Sequence, residues 1–167
     1  MSEITIQNLT NVMNEYGKDK VQHLLSTFKS RNDDVESFLI DNAIKFSEDN
    51  LTRTYLLLET DDVSTKLRGY ISLLFKTIQI DENTTVSNRK KRKMGVSPRV
   101  DSFVTLLVAQ YGKNENEREK HDCDPKLLLG YAIDLSMDIQ MRVGGLTTLL
   151  LECDKTNENL NKYYSDL

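Results

Sequence analysis

The sequence predicts an α+β fold, a mixed and mostly antiparallel sheet with helices on both faces. Two short segments rich in strand formers, 54–58 and 69–75, are joined by a polar turn and predict an antiparallel hairpin. A later strand–loop–helix–strand order over 103–151 predicts a parallel pair with a right-handed crossover. The run 103–109 is apolar throughout, which is typical of a central strand covered on both sides.

The segment before the hairpin predicts a short strand and two helices. Ile4 and Ile6 alternate with polar residues, as in a strand. Asp33 and Glu36 have the spacing of a capping box at the start of an amphipathic helix from about 33 to 47. Between this strand and this helix, the apolar residues after Gly17 have helical spacing: Val21, Leu24, Leu25 and Phe28.

The segment after the central strand predicts a helix, a strand and a last helix. Asp124 followed by Pro125 is typical of an N-cap with proline at the first helical position. The helix is expected to end at the glycine pair 144–145, and a buried strand follows over 146–151. Asn157 is expected to cap the last helix.

Composition limits the function classes. The chain has 167 residues, which suits one domain over 1–167. Its net charge of −4 disfavours a protein that binds nucleic acid over its whole surface. Two cysteines exclude a disulfide scaffold. We expect a cytoplasmic protein, because no apolar run reaches the about 18 residues of a membrane span and the N-terminus lacks signal-peptide features.

Several segments of the sequence are similar to those of a known protein family, both in their residues and in their order along the chain. They are 106–114, 127–129, 143–145, 149–153, Asn157 and 162–167. In this order they resemble the GNAT N-acetyltransferases, with a central strand, a loop, a cofactor helix, a splayed strand and a last helix. The helix with Phe38 and Leu39 and the segments 53–56 and 68–70 match the earlier elements of that family. The resemblance implies a GNAT-like fold over most of the chain.

The resemblance also implies a chemistry. Acetyl-CoA is the acyl donor, and an amine attacks its thioester. Two parallel strands part near Ala109, so that the main chain of Val108, Ala109 and Gln110 can bond the pantetheine arm. Tyr164 takes the place of the acid that protonates the leaving thiolate, and Asn157 that of a cofactor contact. Helical spacing alone favours packing of Tyr164 beside its apolar neighbours Leu160 and Leu167, and the resemblance brings the catalytic role level with it.

Two carboxylates at strand ends, Glu59 and Glu152, are candidate general bases, because a carboxylate at the mouth of a splayed sheet can deprotonate an ammonium. Ordinary solvation at strand ends explains both residues as well. Residues His121, Cys123, Cys153 and His23 do not have the spacing of a zinc site, and no metal is predicted. The acceptor amine is left open by the sequence.

The loop expected to bind pyrophosphate departs from the family pattern. Arg118 fits that pattern, but the residues after it contain no glycine, and Asp124 at the helix start would repel phosphate. An alternative register uses Gly112, Lys113 and Asn114, close to the end of the strand. The chain also stops at Leu167, so we expect the C-terminal strand of the family to be missing and strand 146–151 to have an exposed edge.

These departures leave a second hypothesis, a GNAT-shaped binding protein that acts through protein contacts without catalysis. The exposed edge would then suit a homodimer. The remaining feature is the excursion 81–99 with its basic run 89–93, which could border the acceptor site and contact nucleic acid, an acidic partner or the CoA 3′-phosphate. A solvated face is favoured over nucleic acid, since no aromatic residue is interleaved to stack bases.

Overall fold

A computed structural model describes residues 2–80, 87–117, 124 and 126–152. Its five strands form one sheet in the order β1-β2-β3-β4-β5. The first three pairs are antiparallel and β4–β5 is parallel, so the prediction of a mixed, mostly antiparallel sheet is confirmed. The strands are β1 (Glu3–Asn8), β2 (Arg53–Thr60), β3 (Thr65–Gln79), β4 (Ser102–Lys113) and β5 (Leu146–Leu151). The predicted last helix falls within residues 153–167, which lie outside the described residues.

Helices cover both faces of the sheet. One face carries α1 to α4 and the other carries α6, while α5 lies in the connection between β3 and β4. None of the helices in the described ranges is long and apolar enough to cross a membrane. The helices are α1 (Leu9–Tyr16), α2 (Lys18–Leu25), α3 (Asp33–Ser37), a π-helical turn (Phe38–Asn42), α4 (Ala43–Glu48), α5 (Asn88–Lys93) and α6 (Lys126–Arg142), with a 3₁₀ turn at Glu115–Glu117.

Helix α1 is an element that the sequence pattern did not predict. It is short, and only Leu9 and Val12 of its residues are buried, so its apolar period covers barely one turn. The Asn8 side chain accepts a hydrogen bond from the Thr10 amide and caps its start. Gly17 then separates α1 from α2 with a φ of 89°, a conformation that glycine adopts without strain.

The start of the helix at residue 33 is held by a different residue from the one predicted. Asn32, not Asp33, caps α3, since its side chain accepts from the amide two residues on. The Glu36 carboxylate turns away from a capping box and accepts from the Ser30 amide at 2.9 Å while pairing with Lys29 at 2.6 Å. These two contacts lower the pKa of Glu36. The predicted helix 33–47 itself is present, interrupted by the π-helical turn.

Each face of the sheet has its own apolar core. The core under α1 to α4 includes Leu9, Leu25, Phe28, Leu39, Leu56 and Tyr70. The core under α6 includes Leu57, Ile71, Leu73, Leu106, Val108, Leu128 and Ala132. The N-terminal cap of α6 is as predicted, because Asp124 accepts from the Lys126 amide at 2.9 Å.

Tyr70 of β3 organises the first of these cores. Its ring is fully buried and meets the Phe28 ring edge-on at 5.2 Å and the Phe38 ring stacked at 6.3 Å. Its hydroxyl donates to the Val35 carbonyl at 2.6 Å. Burial raises the pKa of Tyr70, so the hydroxyl stays protonated and continues to donate. Helix α3 is thereby tied to the sheet.

Gly112 faces the same core at the far end of β4. A Cβ at this position would lie 2.6 Å from Val35 Cγ1 and 3.0 Å from Phe28 Cζ. The glycine therefore lets α3 and the sheet approach closely. Its role in a cofactor loop stays a prediction.

Glu59 of β2 and Arg68 of β3 form a buried ion pair. Both Nε and Nη2 of Arg68 lie 2.5 Å from Glu59 Oε2, and both side chains are less than a tenth exposed. Arg68 is the extra residue where the β2–β3 register shifts, since Leu57 pairs with Gly69 and Leu58 with Leu67. The carboxylate predicted as a general base thus neutralises a buried guanidinium inside the sheet.

We expect Gly112→Ala to lower the free energy of unfolding by about 1–3 kcal/mol, because the new methyl overpacks the core between Val35 and Phe28. Gly130→Ala in α6 is the matched control, as no atom lies within 4 Å of its Cβ position. That change should stabilise by up to about 1 kcal/mol. Urea denaturation measures both, and equal effects of the two substitutions would refute the packing role of Gly112.

We expect Glu59→Gln to destabilise the fold by about 3–5 kcal/mol, because Arg68 would remain charged and buried without its carboxylate. The control is Glu48→Gln, which breaks the exposed Lys18–Glu48 pair of 2.8 Å and should cost less than about 1 kcal/mol. Chemical denaturation of both variants tests this. A Glu59→Gln protein as stable as the control would show that the ion pair does not support the fold.

Candidate functional site

Strand β4 has one extra residue in the middle of its pairing with β3. Ser72 pairs with Gln110 and Leu73 pairs with Val108, so Ala109 has no partner position on β3. Such a bulge bends the strand and redirects its main-chain groups. It lies at the residue near which the sequence predicted β4 and β5 to part.

The pairing of β4 with β5 ends at the same level. The parallel register runs from Val104–Leu146 to Val108–Leu151, while β4 continues to Lys113. Within the described part of the chain, no strand pairs with 109–113 on that side of β4. Of the three residues predicted to bond a ligand's amides, Val108 still belongs to the paired register, and Ala109 and Gln110 lie beyond it. Among the described residues, the main-chain groups of Ala109 and Gln110 on the β5 side therefore have no strand partner and could bond a ligand.

A carboxylate and an ammonium group lie beside this break. Glu152 follows the last residue of β5 directly, and its Oε1 is 2.5 Å from Nζ of Lys76 on β3. Strand alternation places Lys76 on the same face of the sheet as Tyr70, the face that carries α1 to α4. Both side chains remain partly exposed, 41% for Lys76 and 68% for Glu152, so a ligand can reach them.

Lys76 is the residue of this site that sequence reasoning missed. The predicted strand stopped at 75, whereas β3 extends to Gln79. The sequence carries a weak signal, since the strand-forming residues Thr77 and Ile78 follow Lys76. Of the two predicted carboxylates, only Glu152 lies at the break. Two strands, β3 and β4, separate β2 with Glu59 from β5.

Asn114 is placed where its side chain serves the protein interior. It is 1% exposed, and its Oδ1 accepts from the amides of Lys29 and Asn116. Its Nδ2 donates to the carbonyls of Leu67 and Thr27. All four hydrogen-bonding positions of the amide are used. The prediction that Asn114 contacts a cofactor does not fit this arrangement, which instead fastens the end of β4 to the loop after α2.

The remaining predicted residues divide into two groups. Lys113 ends β4 with an exposed side chain, and Asp124 accepts from the first helical amide of α6. This negative charge lies at the helix N-terminus, where an anion would otherwise bind. Arg118, Asn157 and Tyr164 lie outside the described residues, and their roles stay predictions.

No protein-family model and no curated protein sequence matches the chain. Solved structures do match. AtaT complexed with acetyl-methionyl-tRNAfMet has a TM-score of 0.72 at 16% identity, covering 98% of this chain and 85% of that one. A tyrosine-to-phenylalanine mutant of KacT has a TM-score of 0.72 at 15% identity, with the same coverage.

A third structure, AtaTR bound with acetyl-CoA, has a TM-score of 0.63 at 18% identity, covering 99% of this chain and 83% of that one. AtaT and KacT are toxins with the fold of the GNAT N-acetyltransferases. At these identities the likeness concerns the fold, which extends over nearly the whole chain. The chain therefore has the GNAT fold, as the order of its segments predicts.

Proposed function

We propose that this protein is an acetyl-CoA-dependent N-acetyltransferase. The observation that carries the proposal is the bulge at Ala109 at the level where β4 and β5 stop pairing. Two structural neighbours support it, since AtaTR is bound with acetyl-CoA and AtaT is complexed with acetyl-methionyl-tRNAfMet. We take the α-amino group of an aminoacyl-tRNA as the first acceptor to test.

The open main chain fits the cofactor. The pantetheine arm contains amides, and the amides and carbonyls of Ala109 and Gln110 beyond the paired register can bond them as an added strand would. Acetyl-CoA supplies an activated acyl group, so no metal is required. Among the described residues, Lys113 is an exposed cation at the end of β4 that is suited to bind the pyrophosphate.

The residues beside the break are suited to handling protons. The Glu152 carboxylate can take a proton from the acceptor ammonium, directly or through water, and so produce the nucleophilic amine. Lys76 holds that carboxylate beside the break through their 2.5 Å contact. By resemblance, the Tyr164 hydroxyl gives a proton to the leaving thiolate.

The alternative function is a GNAT-shaped binding protein without catalysis. The observation in its favour is the Asp124 cap, because its carboxylate occupies an amide at the α6 N-terminus and opposes phosphate there. Cofactor binding separates the two functions, since only the enzyme needs acetyl-CoA.

We expect acetyl-CoA at 100 times its dissociation constant to stabilise the protein by about 2.7 kcal/mol, seen as a melting shift of about 5–10 °C. The nucleotide 3′,5′-ADP, which lacks the pantetheine arm, should give a smaller shift. Tyr164→Phe should keep the shift and reduce acetylation of total aminoacyl-tRNA by at least about 100-fold.

Two results would contradict these expectations. The absence of any shift at millimolar acetyl-CoA would favour the binding protein. Undiminished turnover of Tyr164→Phe would remove Tyr164 from the mechanism while leaving the acetyltransferase assignment in place.

The position of the pyrophosphate can be decided with a second pair of variants. If phosphate binds at the α6 N-terminus, Asp124→Ser should tighten acetyl-CoA binding about two- to fivefold, because serine still caps the helix but carries no charge. Lys113→Gln should then have little effect. If phosphate binds at the end of β4, Lys113→Gln should weaken binding and Asp124→Ser should leave it unchanged. Isothermal titration of acetyl-CoA into both variants measures this, and no change in either would exclude both positions.

A further inference from the structure

Helix α5 is held in place within the connection between β3 and β4. The Ser87 hydroxyl caps it, accepting from the Lys90 amide at 3.3 Å. Lys91 turns toward the protein, where its Nζ donates to the Val100 carbonyl at 3.2 Å. After the helix, Val96 is buried with 3% exposure and anchors the returning chain. The basic run predicted as part of an excursion is therefore helical, and these hydrogen bonds of Ser87 and Lys91 lie within the connection itself.

The four other cations of this helix point to solvent. Arg89, Lys90, Arg92 and Lys93 are exposed, and within the described ranges none of them pairs with a carboxylate. The net charge of the chain is −4, and residues 89–93 contribute five positive charges, so the rest of the chain carries −9. The positive charge is thus concentrated at one place on an acidic protein. We name Arg89, Lys90, Arg92 and Lys93 the α5 basic surface.

We propose that the α5 basic surface binds the phosphate backbone of RNA. Closely spaced, exposed cations on one helix match a row of phosphates, which repeat along a nucleic-acid strand and release counterions when neutralised. Two of the four cations are arginines, whose planar guanidinium bonds phosphate oxygens in pairs. Because the surface contains no aromatic residue, it is suited to positioning the RNA and not to reading its bases.

The location of this surface favours RNA over a small acceptor. Helix α5 lies in the connection that returns to β4 at Ser102, and Ala109 lies seven residues further along the strand. At about 3.3 Å per residue, the start of β4 and the bulge are roughly 23 Å apart. A free amino acid is shorter than this part of β4, whereas an RNA bound at the connection is long enough to extend a 3′-terminal aminoacyl group toward the bulge. This last step rests on the proposed acetyltransferase function, but the RNA contact itself does not.

The test measures binding of a fluorescein-labelled RNA hairpin with a single-stranded 3′ end, in the absence of acetyl-CoA, over a series of salt concentrations. The double variant Arg92→Gln with Lys93→Gln should lower the slope of log K against log salt by about two and weaken binding at about 0.1 M salt at least tenfold. Glutamine keeps helix propensity, and Lys91, which anchors the helix, is untouched. The matched control is Lys20→Gln with Lys45→Gln, which removes two exposed cations from α2 and α4 and should change the slope by less than about half a unit.

A charge-conserving double variant, Arg92→Lys with Lys93→Arg, should retain the wild-type slope, which excludes misfolding as the cause of the loss. The proposal is overturned if the hairpin does not bind or if both double glutamine variants lose affinity equally. It is also overturned if a poly-glutamate peptide binds as tightly as the hairpin with the same dependence on Arg92 and Lys93, which would indicate an acidic protein partner. Acetyl-CoA binding is measured separately by the melting shift, so failure of the RNA contact and failure of the acetyltransferase function remain distinguishable.

Discussion

One extra residue in β4 determines what this sheet can do. Strand β4 is paired with β3 along its whole length, from Gln79–Ser102 to Gly69–Lys113, and the bulge at Ala109 is absorbed within that ladder. On its other side, β4 is paired with β5 only as far as Val108. Within the described residues, the strand is thus paired along one edge and only partly paired along the other. Unpaired main-chain groups in a protein normally require a partner, and here the fold supplies a rigid strand edge that a ligand with amides can complete.

An open strand edge remains in place only if the rest of the strand is fixed. Gly112 permits close packing against α3, Asn114 binds four backbone groups, and Tyr70 ties α3 to β3. These contacts lie at the end of β4 that has no partner on the β5 side. These interior contacts hold the end of β4 in position, as a neighbouring strand would. They give a reason for the glycine and the fully hydrogen-bonded asparagine at this end.

The same residues show where sequence reasoning reaches its limit. The hairpin, the parallel crossover and the Asp124 cap follow from local periodicity and capping chemistry, and the structure contains all three. A glycine after a strand, in contrast, indicates only that something approaches closely; whether phosphate or Val35 does so depends on tertiary packing. The contacts of Asn114 and Glu59 could not be predicted for that reason, since their partners Lys29 and Arg68 are identified by the fold and not by spacing. Lys76 was missed because its partner Glu152 is 76 residues away.

The two faces of the sheet separate the chemical tasks. Helix α6 covers one face, and its N-terminus with Asp124 is one of the two positions proposed for the pyrophosphate. The Lys76–Glu152 pair occupies the other face, beside the same break. A thioester arm inserted at the break would therefore be reachable from a proton acceptor that is not in contact with its phosphates. This separation matters because a carboxylate close to the pyrophosphate would weaken cofactor binding. A carboxylate on the opposite face of the sheet can accept a proton without repelling the pyrophosphate.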